Sequence, residues 1–321
     1  MKNLRNTNPY AEVNWSNTPR VTTSTHMHCL NQETLNSFIS QGLELAAISN
    51  YYPSMPYYPL SSMRENTVRV RQPGYVKDGI WHTDVLNYNE AIAPWCSELP
   101  KASRTQLPFR EGKRLFPNVP EGLLEIPNAE HHYFSDASIY LHVTAPGATL
   151  SSSMFDLKKE FALAEHGYDF GVRLPWRESF QKLYDSLLTP DGGGIVIAHP
   201  SWSHHPISYL EMLLDSDPRI LGIEVFNNCS RIDYSDVSED LWDAILSSGR
   251  QCFGFFVVDH PRPNRNWLGR IVLLPEERTA ESCLRAMRRG RFYGAISGNG
   301  LRFEYIHFDG HMLTAACNRP V

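Results

Sequence analysis

Short apolar runs alternate with segments of helical pattern along most of this chain of 321 residues, and this alternation limits the folds available to it. Clear examples of the runs are 195–198, 221–226 and 255–258. Strands that alternate with helices pair in parallel and are covered on both faces, so their sequences are apolar throughout. The pattern predicts an α/β fold on a parallel sheet. In a closed barrel of this kind, the site lies at the carboxyl ends of the strands.

Several of the apolar runs end in side chains that bind metals. His26 and His28 follow the β-branched stretch 21–24, His199 follows one later run, and Asp259 follows another. Residues i and i+2 of a strand point to the same face, so His26 and His28 can reach one ion. Since several strands end in such residues, the sequence predicts one shared metal centre.

Composition excludes several classes of protein. The net charge is −5, which does not favour a nucleic-acid binder, and no apolar stretch approaches the roughly 18 residues that a membrane span needs. The 6 cysteines are scattered without a Cys-x-x-Cys pair, which argues against a zinc ribbon or a disulfide framework. We expect a soluble, reduced, cytoplasmic protein that binds neither nucleic acid nor membrane. The pattern favours no particular oligomeric state.

The chain divides into an arm, one large domain and a tail. We predict an N-terminal arm over 1–20, a single domain over 21–310 and a C-terminal tail over 311–321. Within the domain, the proline-rich segment of about 51–120 is predicted to be a long insertion, either a lid that selects substrate or a structural extension. The predicted strands are 21–26, 43–48, 137–144, 194–198, 221–226, 252–258 and 271–274. The predicted helices are 32–41, 155–166, 175–188, 206–214, 237–248 and 279–290, besides some helix near 82–93.

Four motifs resemble those of the PHP (polymerase and histidinol phosphatase) family of metal-dependent hydrolases. They are Thr25-His26-Met27-His28, Ile126-Pro127-Asn128-Ala129-Glu130, Ala198-His199-Pro200 and Arg289-Gly290-Arg291-Phe292-Tyr293-Gly294. The resemblance spans about residues 21 to 310. It implies an α/β fold of the distorted (β/α)7-type barrel kind, here with a long loop-rich insertion, and a site for divalent ions.

The resemblance also implies a ligand set. Carried over by motif, the ligands are His26, His28, Glu130, His142, His199 and Asp259. Glu130 is expected to bridge two ions of Zn, Mn or Fe, and Glu125 is the rival for that role. The family's usual Thr-Asp-His is Ser49-Asn50-Tyr51 here, and its closing Asp-x-His is Asp259-His260-Pro261. These departures remove the ligands of a third ion, so we expect a binuclear site.

Further candidates surround this set. We predict a catalytic role for His260, beside Asp259, as a general acid or in orienting a phosphate, and one for Tyr51, whose hydroxyl can bond substrate. Asn50, Arg262 and Arg265 are predicted substrate-binding residues, although a surface role for the two arginines is equally open.

Histidines and one carboxylate near these motifs have secondary predictions. Glu224 is predicted to accept a hydrogen bond from a metal-binding histidine. At most one of His131 and His132 can face the site, because adjacent residues of an extended chain point to opposite faces. His204 and His205 are expected in a loop exposed to solvent.

The leading hypothesis is a metal-dependent hydrolase. The resemblance implies a phosphoesterase that acts on a small, anionic, phosphorylated molecule with a metal-activated water at a two-metal site. The alternative is a non-catalytic PHP-like module that binds a ligand or partner, which the missing third-ion ligands motivate.

Overall fold

The structure is a computed structural model that describes residues 8–29, 32–49, 75–77, 80–82, 118–132, 134–138, 140–148, 175–228, 236–261, 269–296, 300 and 302–319. In these ranges the strands are β1 (Val21–Thr23), β2 (Leu45–Ala46), β3 (Tyr75–Lys77), β4 (Ile80–His82), β5 (Leu124–Glu125), β6 (Glu130–His131), β7 (Val143–Thr144), β8 (Ile195–Ile197), β9 (Ile220–Asn227), β10 (Asp236–Val237), β11 (Phe253–Val257), β12 (Gly269–Leu273), β13 (Phe292–Ile296), β14 (Phe303–Phe308) and β15 (Leu313–Cys317). The helices are α1 (Gln32–Ser40), α2 (Trp176–Asp185), α3 (Ile207–Ser216), α4 (Glu239–Ser247) and α5 (Ala280–Arg288).

The predicted elements match the observed ones closely in the second half of the chain. Strands β8, β9 and β11 and helices α2 to α5 begin and end within a few residues of their predicted bounds. The predicted strand 137–144 is reduced to β7, because 135–137 form a turn. The predicted helix 155–166 and most of the insertion lie outside the described residues. Strand β4 occupies the start of the segment near 82–93.

The strands that carry the site belong to a six-stranded sheet and two smaller ones. In the large sheet the order is β10-β9-β8-β7-β6, and β11 pairs with β9. Strands β8, β9 and β11 are parallel, as predicted. Strand β7 is antiparallel to both of its neighbours, and β12 is antiparallel to β1 and β13, so the expectation of parallel pairing is wrong for these strands. The connection from β6 to β7 covers only residues 132–142, which is too short for the helical crossover that parallel pairing needs.

Backbone hydrogen bonds join these sheets to one another. Glu44 donates from its backbone N–H to the Thr22 carbonyl at 3.0 Å, which ties β1 to the start of β2, and β2 pairs with β5. Glu130 donates to the Ser49 carbonyl at 3.0 Å, and Asp259, after β11, donates to the His26 carbonyl at 2.7 Å. The contacts thus lead from β1 through the large sheet and back to the residues after β1. The distorted barrel stays a prediction. A closed barrel would require contacts of this kind between its first and last strands.

Both faces of the central strands are covered by apolar side chains. In β8, Ile195 and Ile197 pack in one hydrophobic cluster with Leu210 of α3, whereas Val196 packs in a second with Met287 of α5. All eight residues of β9 are buried. Because successive side chains of a strand point to opposite faces, burial of both faces explains the uninterrupted apolar sequence.

Helix ends follow local sequence signals. Thr279 precedes α5 and accepts a hydrogen bond from the Ser282 backbone N–H at 3.2 Å. Gly249 follows α4 and has a φ of 83°, a conformation that favours glycine after a helix. None of the helices that the structure describes is long and apolar enough to span a membrane.

The segments predicted as an N-terminal arm and a C-terminal tail both contain ordered structure. In the predicted arm, Tyr10 packs with Val272 and Tyr293 and donates its hydroxyl to the Phe292 carbonyl at 2.6 Å. The segment predicted as a tail contains β15, which pairs with β14 in an antiparallel hairpin. The arm is therefore docked on the sheet formed by β1, β12 and β13.

Buried Asn128 joins three segments next to the metal-type residues. Its side-chain amide donates to the Thr25 carbonyl at 2.7 Å and to the Ala47 carbonyl at 2.9 Å. Its Oδ1 accepts from the Ala145 backbone N–H at 3.1 Å. This one side chain satisfies polar backbone groups that follow β1, β2 and β7.

We predict that Asn128→Ala lowers the free energy of unfolding by about 2–4 kcal/mol, because it leaves buried backbone groups unsatisfied. Urea denaturation followed by circular dichroism measures this loss. The matched control is Asn36→Ala on the exposed face of α1, which should change stability by less than about 0.5 kcal/mol. Equal effects of the two substitutions would contradict the role assigned to Asn128.

Candidate metal centre

Six metal-type side chains lie at strand ends and converge in one place. His26 and His28 follow β1, Glu130 begins β6, His199 lies two residues after β8 and Asp259 lies two residues after β11. The sixth, His142, immediately precedes β7. They form two groups, His26-His28-Asp259 and Glu130-His142-His199, and in each group the candidate ligand atoms lie within 4.8 Å of one another.

The Glu130 carboxylate lies between the two groups. Its Oε2 is 3.2 Å from His26 Nε2 and 3.0 Å from His28 Nε2. Its Oε1 is 2.7 Å from His142 Nδ1 and 3.4 Å from His199 Nε2. Each oxygen therefore faces a different pair of imidazoles, which is the geometry of a bridging carboxylate. Glu125, the rival for this role, belongs to neither group.

The first group has the spacing of ligands around one ion. Asp259 Oδ1 is 3.3 Å from His26 Nε2 and 3.4 Å from His28 Nε2. With metal–ligand bonds of about 2.0–2.2 Å, two neighbouring ligands of one ion are about 3.0–3.5 Å apart. The four nitrogen–oxygen distances among His26, His28, Asp259 and Glu130 Oε2 all match this separation. Mixed imidazole and carboxylate ligands suit Zn, Mn or Fe.

Two buried atoms of this group have no hydrogen-bond partner. They are His26 Nε2 and Asp259 Oδ1, which face each other. Buried polar atoms are nearly always satisfied, and an unsatisfied one commonly marks an ion or a reactive group. The donor set and these atoms therefore fit a bound cation.

Charge at the centre shifts pKa values in opposite directions. Burial lowers the pKa of His26, but the carboxylates of Asp259, Glu224 and Glu130 outweigh burial and hold that pKa well above its ordinary value. Burial raises the pKa of Glu130, but His26 and the hydrogen bonds from His142 and His199 hold it well below its ordinary value. The Asp259 pKa is lowered in the same way. The carboxylates are therefore ionised, and the space between them attracts positive charge.

Glu224 braces the centre from β9. His26 Nδ1 donates to Glu224 Oε1 at 2.8 Å, which confirms the hydrogen bond predicted from sequence. Because a carboxylate can only accept, this bond places the proton on Nδ1 and leaves Nε2 facing Glu130 and Asp259. The bond orients His26 as the partners of metal-binding histidines do.

Two of the candidate ligands have strained backbones. His199 has a φ of 28° and Asp259 has a φ of 56°. Residues other than glycine rarely adopt positive φ, and such strain concentrates at functional sites. His199 is held in place where its Nδ1 lies 3.1 Å from Ser203 Oγ and its backbone N–H donates to Glu224 Oε2 at 2.8 Å.

Of the predicted catalytic and substrate-binding residues, the structure describes only His260. Asn50, Tyr51, Arg262 and Arg265 lie outside the described residues, so their predicted roles stay predictions. His260 is described, and its ring stacks on His28 with the centroids 3.8 Å apart. Its side chain is 48% exposed. Partial burial and the neighbouring His28 lower the His260 pKa, so its imidazole is neutral near pH 7.

The secondary histidines divide between the site and the core. The His132 ring centroid is 5.1 Å from that of His142. His131 is completely buried, and burial lowers its pKa to about 3. His204 is exposed, as predicted, but the prediction for His205 is wrong because it is buried beside Tyr209. The loop after His199 folds back through a hydrogen bond from the His205 backbone N–H to the Pro200 carbonyl, which brings that ring inward.

Trp202 and Asn227 also lie at the centre and were not predicted from the sequence. The Trp202 ring lies edge to face with His199, with the centroids 4.9 Å apart, and 5.9 Å from His142. It forms an aromatic wall beside the second group. Asn227 Nδ2 donates to Glu224 Oε2 at 2.9 Å and to Asp259 Oδ2 at 3.1 Å. Its position at the end of an apolar strand was a signal of the kind that identified His199 and Asp259.

Comparison with known proteins gives only distant structural likenesses. No family model matches the chain, and no curated protein matches it. A crystal structure from Bacteroides vulgatus, of a two-domain protein containing a predicted PHP-like metal-dependent phosphoesterase, aligns with a TM-score of 0.47 and 13% identity. The alignment covers 89% of this chain and 67% of that chain. A likeness this weak decides neither fold nor function, so a functional assignment depends on the residues of the centre.

We predict that metal affinity rises with pH. Because the His26 pKa is raised, this ring is protonated near neutral pH in the metal-free protein, and an ion must displace that proton. Affinity should rise up to about tenfold per pH unit for each proton displaced and level off above the His26 pKa. Calorimetric titration of the stripped protein with Mn²⁺ between about pH 6 and pH 8 tests this, and an affinity that stays constant would contradict it.

Proposed function

We propose that this protein is a metal-dependent hydrolase with a binuclear centre, and that it acts as a phosphoesterase on a small phosphorylated molecule. The observation that carries the proposal is the position of Glu130, whose two oxygens face the two separate groups of candidate ligands. The first ion would be held by His26, His28, Asp259 and one Glu130 oxygen. The second would be held by His142, His199 and the other Glu130 oxygen.

The charge of the centre supports two divalent ions. Glu130, Asp259 and Glu224 are all buried, and together they carry three formal negative charges. Buried charges are stable only when they are paired or coordinate a cation. One divalent ion would leave a net negative charge, whereas two leave one positive charge to attract an anionic substrate. When bound, two divalent ions would lower the pKa of a water and neutralise charge on the entering and leaving oxygens.

The residues around the centre would have two roles: most of them would bind or orient the ions, and His260 would act on the substrate. Carboxylate and imidazole ligands hold the ions, and His26 keeps its orientation through Glu224. Half-exposed His260 stacks against His28, at the side of the first group that is open to solvent. Because its pKa is lowered, we propose that His260 orients substrate or accepts a proton, rather than acting as the general acid.

We predict that Glu130→Gln abolishes the binuclear centre but not the fold. The substitution is nearly isosteric and removes the negative charge that two ions share, so ion content should fall from about two per chain to one or none. Turnover of p-nitrophenyl phosphate with added Mn²⁺ or Zn²⁺ should fall by at least about 100-fold. Elemental analysis and a phosphatase assay measure the two effects, and His199→Ala should act in the same direction.

Glu125→Gln is the matched control, five residues earlier in the same chain segment and in neither ligand group. It should keep the ions and the turnover. Two ions without turnover of the phosphate ester would redirect the search to carboxylic esters and carbamates. A wild-type protein that takes up no ion after reconstitution would refute the hydrolase and leave the ligand-binding module.

His260→Ala is predicted to keep both ions and to lower kcat by about 10- to 100-fold, because it removes a polar group at the open side without removing a ligand. His204→Ala, in the exposed part of the loop after His199, serves as the control and should retain full turnover. Elemental analysis alongside steady-state kinetics separates the two effects. Loss of an ion in the His260 variant would show that this ring is itself a ligand.

A further inference from the structure

Glu224 contacts residues of both ligand groups although it belongs to neither. It lies inside β9, and its side chain is completely buried. Strand β9 runs between β8, which leads to His199, and β11, which leads to Asp259. The strand order therefore places this carboxylate between a strand that leads to a ligand of the first group and a strand that leads to a ligand of the second group.

The two oxygens of Glu224 hold different groups. Oε1 accepts from Nδ1 of His26, in the first group, at 2.8 Å. Oε2 accepts from the backbone N–H of His199, in the second group, at 2.8 Å. The second contact fixes the backbone at the residue whose φ of 28° is strained. A shift of this carboxylate would therefore move one ligand of each ion.

Asn227 extends the connection to a third ligand. Its Nδ2 donates to Glu224 Oε2 at 2.9 Å and to Asp259 Oδ2 at 3.1 Å. Asp259 is thereby oriented with its other oxygen, Oδ1, toward His26 Nε2. The network of Glu224 and Asn227 thus reaches His26, Asp259 and His199 through hydrogen bonds alone.

We propose that Glu224 is a positioning residue that couples the two ion positions, so that an ion bound at the first group favours an ion at the second. An ion on His26 fixes the ring and, through Nδ1–H, the carboxylate. The same carboxylate then holds the His199 backbone in the conformation that presents its ring to the second ion. This inference rests on the proposed two-ion function. Coupling of two sites through a shared rigid element is typically worth about 5- to 150-fold in affinity.

The test is a titration of the metal-stripped protein with Mn²⁺ in which calorimetry measures the heat of binding. The wild-type chain should take up two ions with a Hill coefficient of about 1.5 to 2. Glu224→Gln should lower the affinity about 10- to 100-fold and bring the Hill coefficient to about 1, because one uncharged amide cannot accept both hydrogen bonds. These readouts do not depend on turnover, and circular dichroism of the metal-free variant checks that it folds.

A second variant separates the effect of the two hydrogen bonds that Glu224 accepts from the effect of its negative charge. Glu224→Asp keeps the negative charge but is one methylene shorter, so it cannot span His26 Nδ1 and the His199 backbone together. It should also lose coupling, and it replaces Glu224→Gln if that chain does not fold. The control is Glu44→Gln, whose carboxylate accepts from the Thr22 backbone N–H at 3.0 Å, outside both ligand groups. That variant should bind ions as the wild type does.

The possible outcomes distinguish this inference from the proposed function. Two ions bound independently by the wild type, or unchanged coupling in both Glu224 variants, would overturn the inference and leave the binuclear centre intact. A wild-type chain that binds no ion would overturn the proposed function itself. Loss of coupling in both variants, with coupling retained in Glu44→Gln, would establish Glu224 as the link.

Discussion

The buried carboxylate of Glu130, held between two pairs of imidazoles, is the interaction on which the rest of the centre depends. An isolated ionised carboxylate is too costly to bury, so positive partners must surround it. Histidines at the ends of β1, β7 and β8 surround it: the pKa values of His26 and His199 are raised, so these two supply positive charge, and His142 contributes a hydrogen bond at 2.7 Å. The strands can deliver them only if their ends meet at one place. The requirement of this single charge therefore constrains the arrangement of β1, β6, β7 and β8.

The surrounding structure meets this requirement with rigid polar contacts. Asn128 joins three backbone segments, and Ser49 Oγ accepts from the Met27 backbone N–H at 2.8 Å, between the two histidines of the first group. Positive φ at His199 and Asp259 costs of order 1–3 kcal/mol each and persists only when the surroundings enforce it. These contacts hold the candidate ligands from within the chain, and two of the residues with positive φ, His199 and Asp259, are themselves candidate ligands.

Sequence patterns predicted the parts that depend on local chemistry. Apolar runs located β8, β9 and β11, and the residues that follow β8 and β11, His199 and Asp259, were identified by their position at strand ends. Pairing direction was less predictable, because β7 has only two residues and its antiparallel pairing with β6 reflects a connection, residues 132–142, that is too short for a helical crossover. Trp202 was missed because nothing in the local pattern shows that the loop after His199 folds back toward the centre. The candidate ligand His142 was found only by resemblance, since it precedes its strand instead of following it.

The electrostatics of the centre connect its ions to the stability of the whole domain. Without ions, His26 must hold a proton to offset Glu130, Asp259 and Glu224, and the pKa values shift accordingly. A bound divalent ion would replace that proton with a larger charge, and it would bind only the folded chain because the candidate ligands come from strands far apart in sequence. Ligands that bind only the native state stabilise it by mass action. The candidate ligand cluster would therefore also determine how firmly the ends of β1, β6, β8 and β11 are held together.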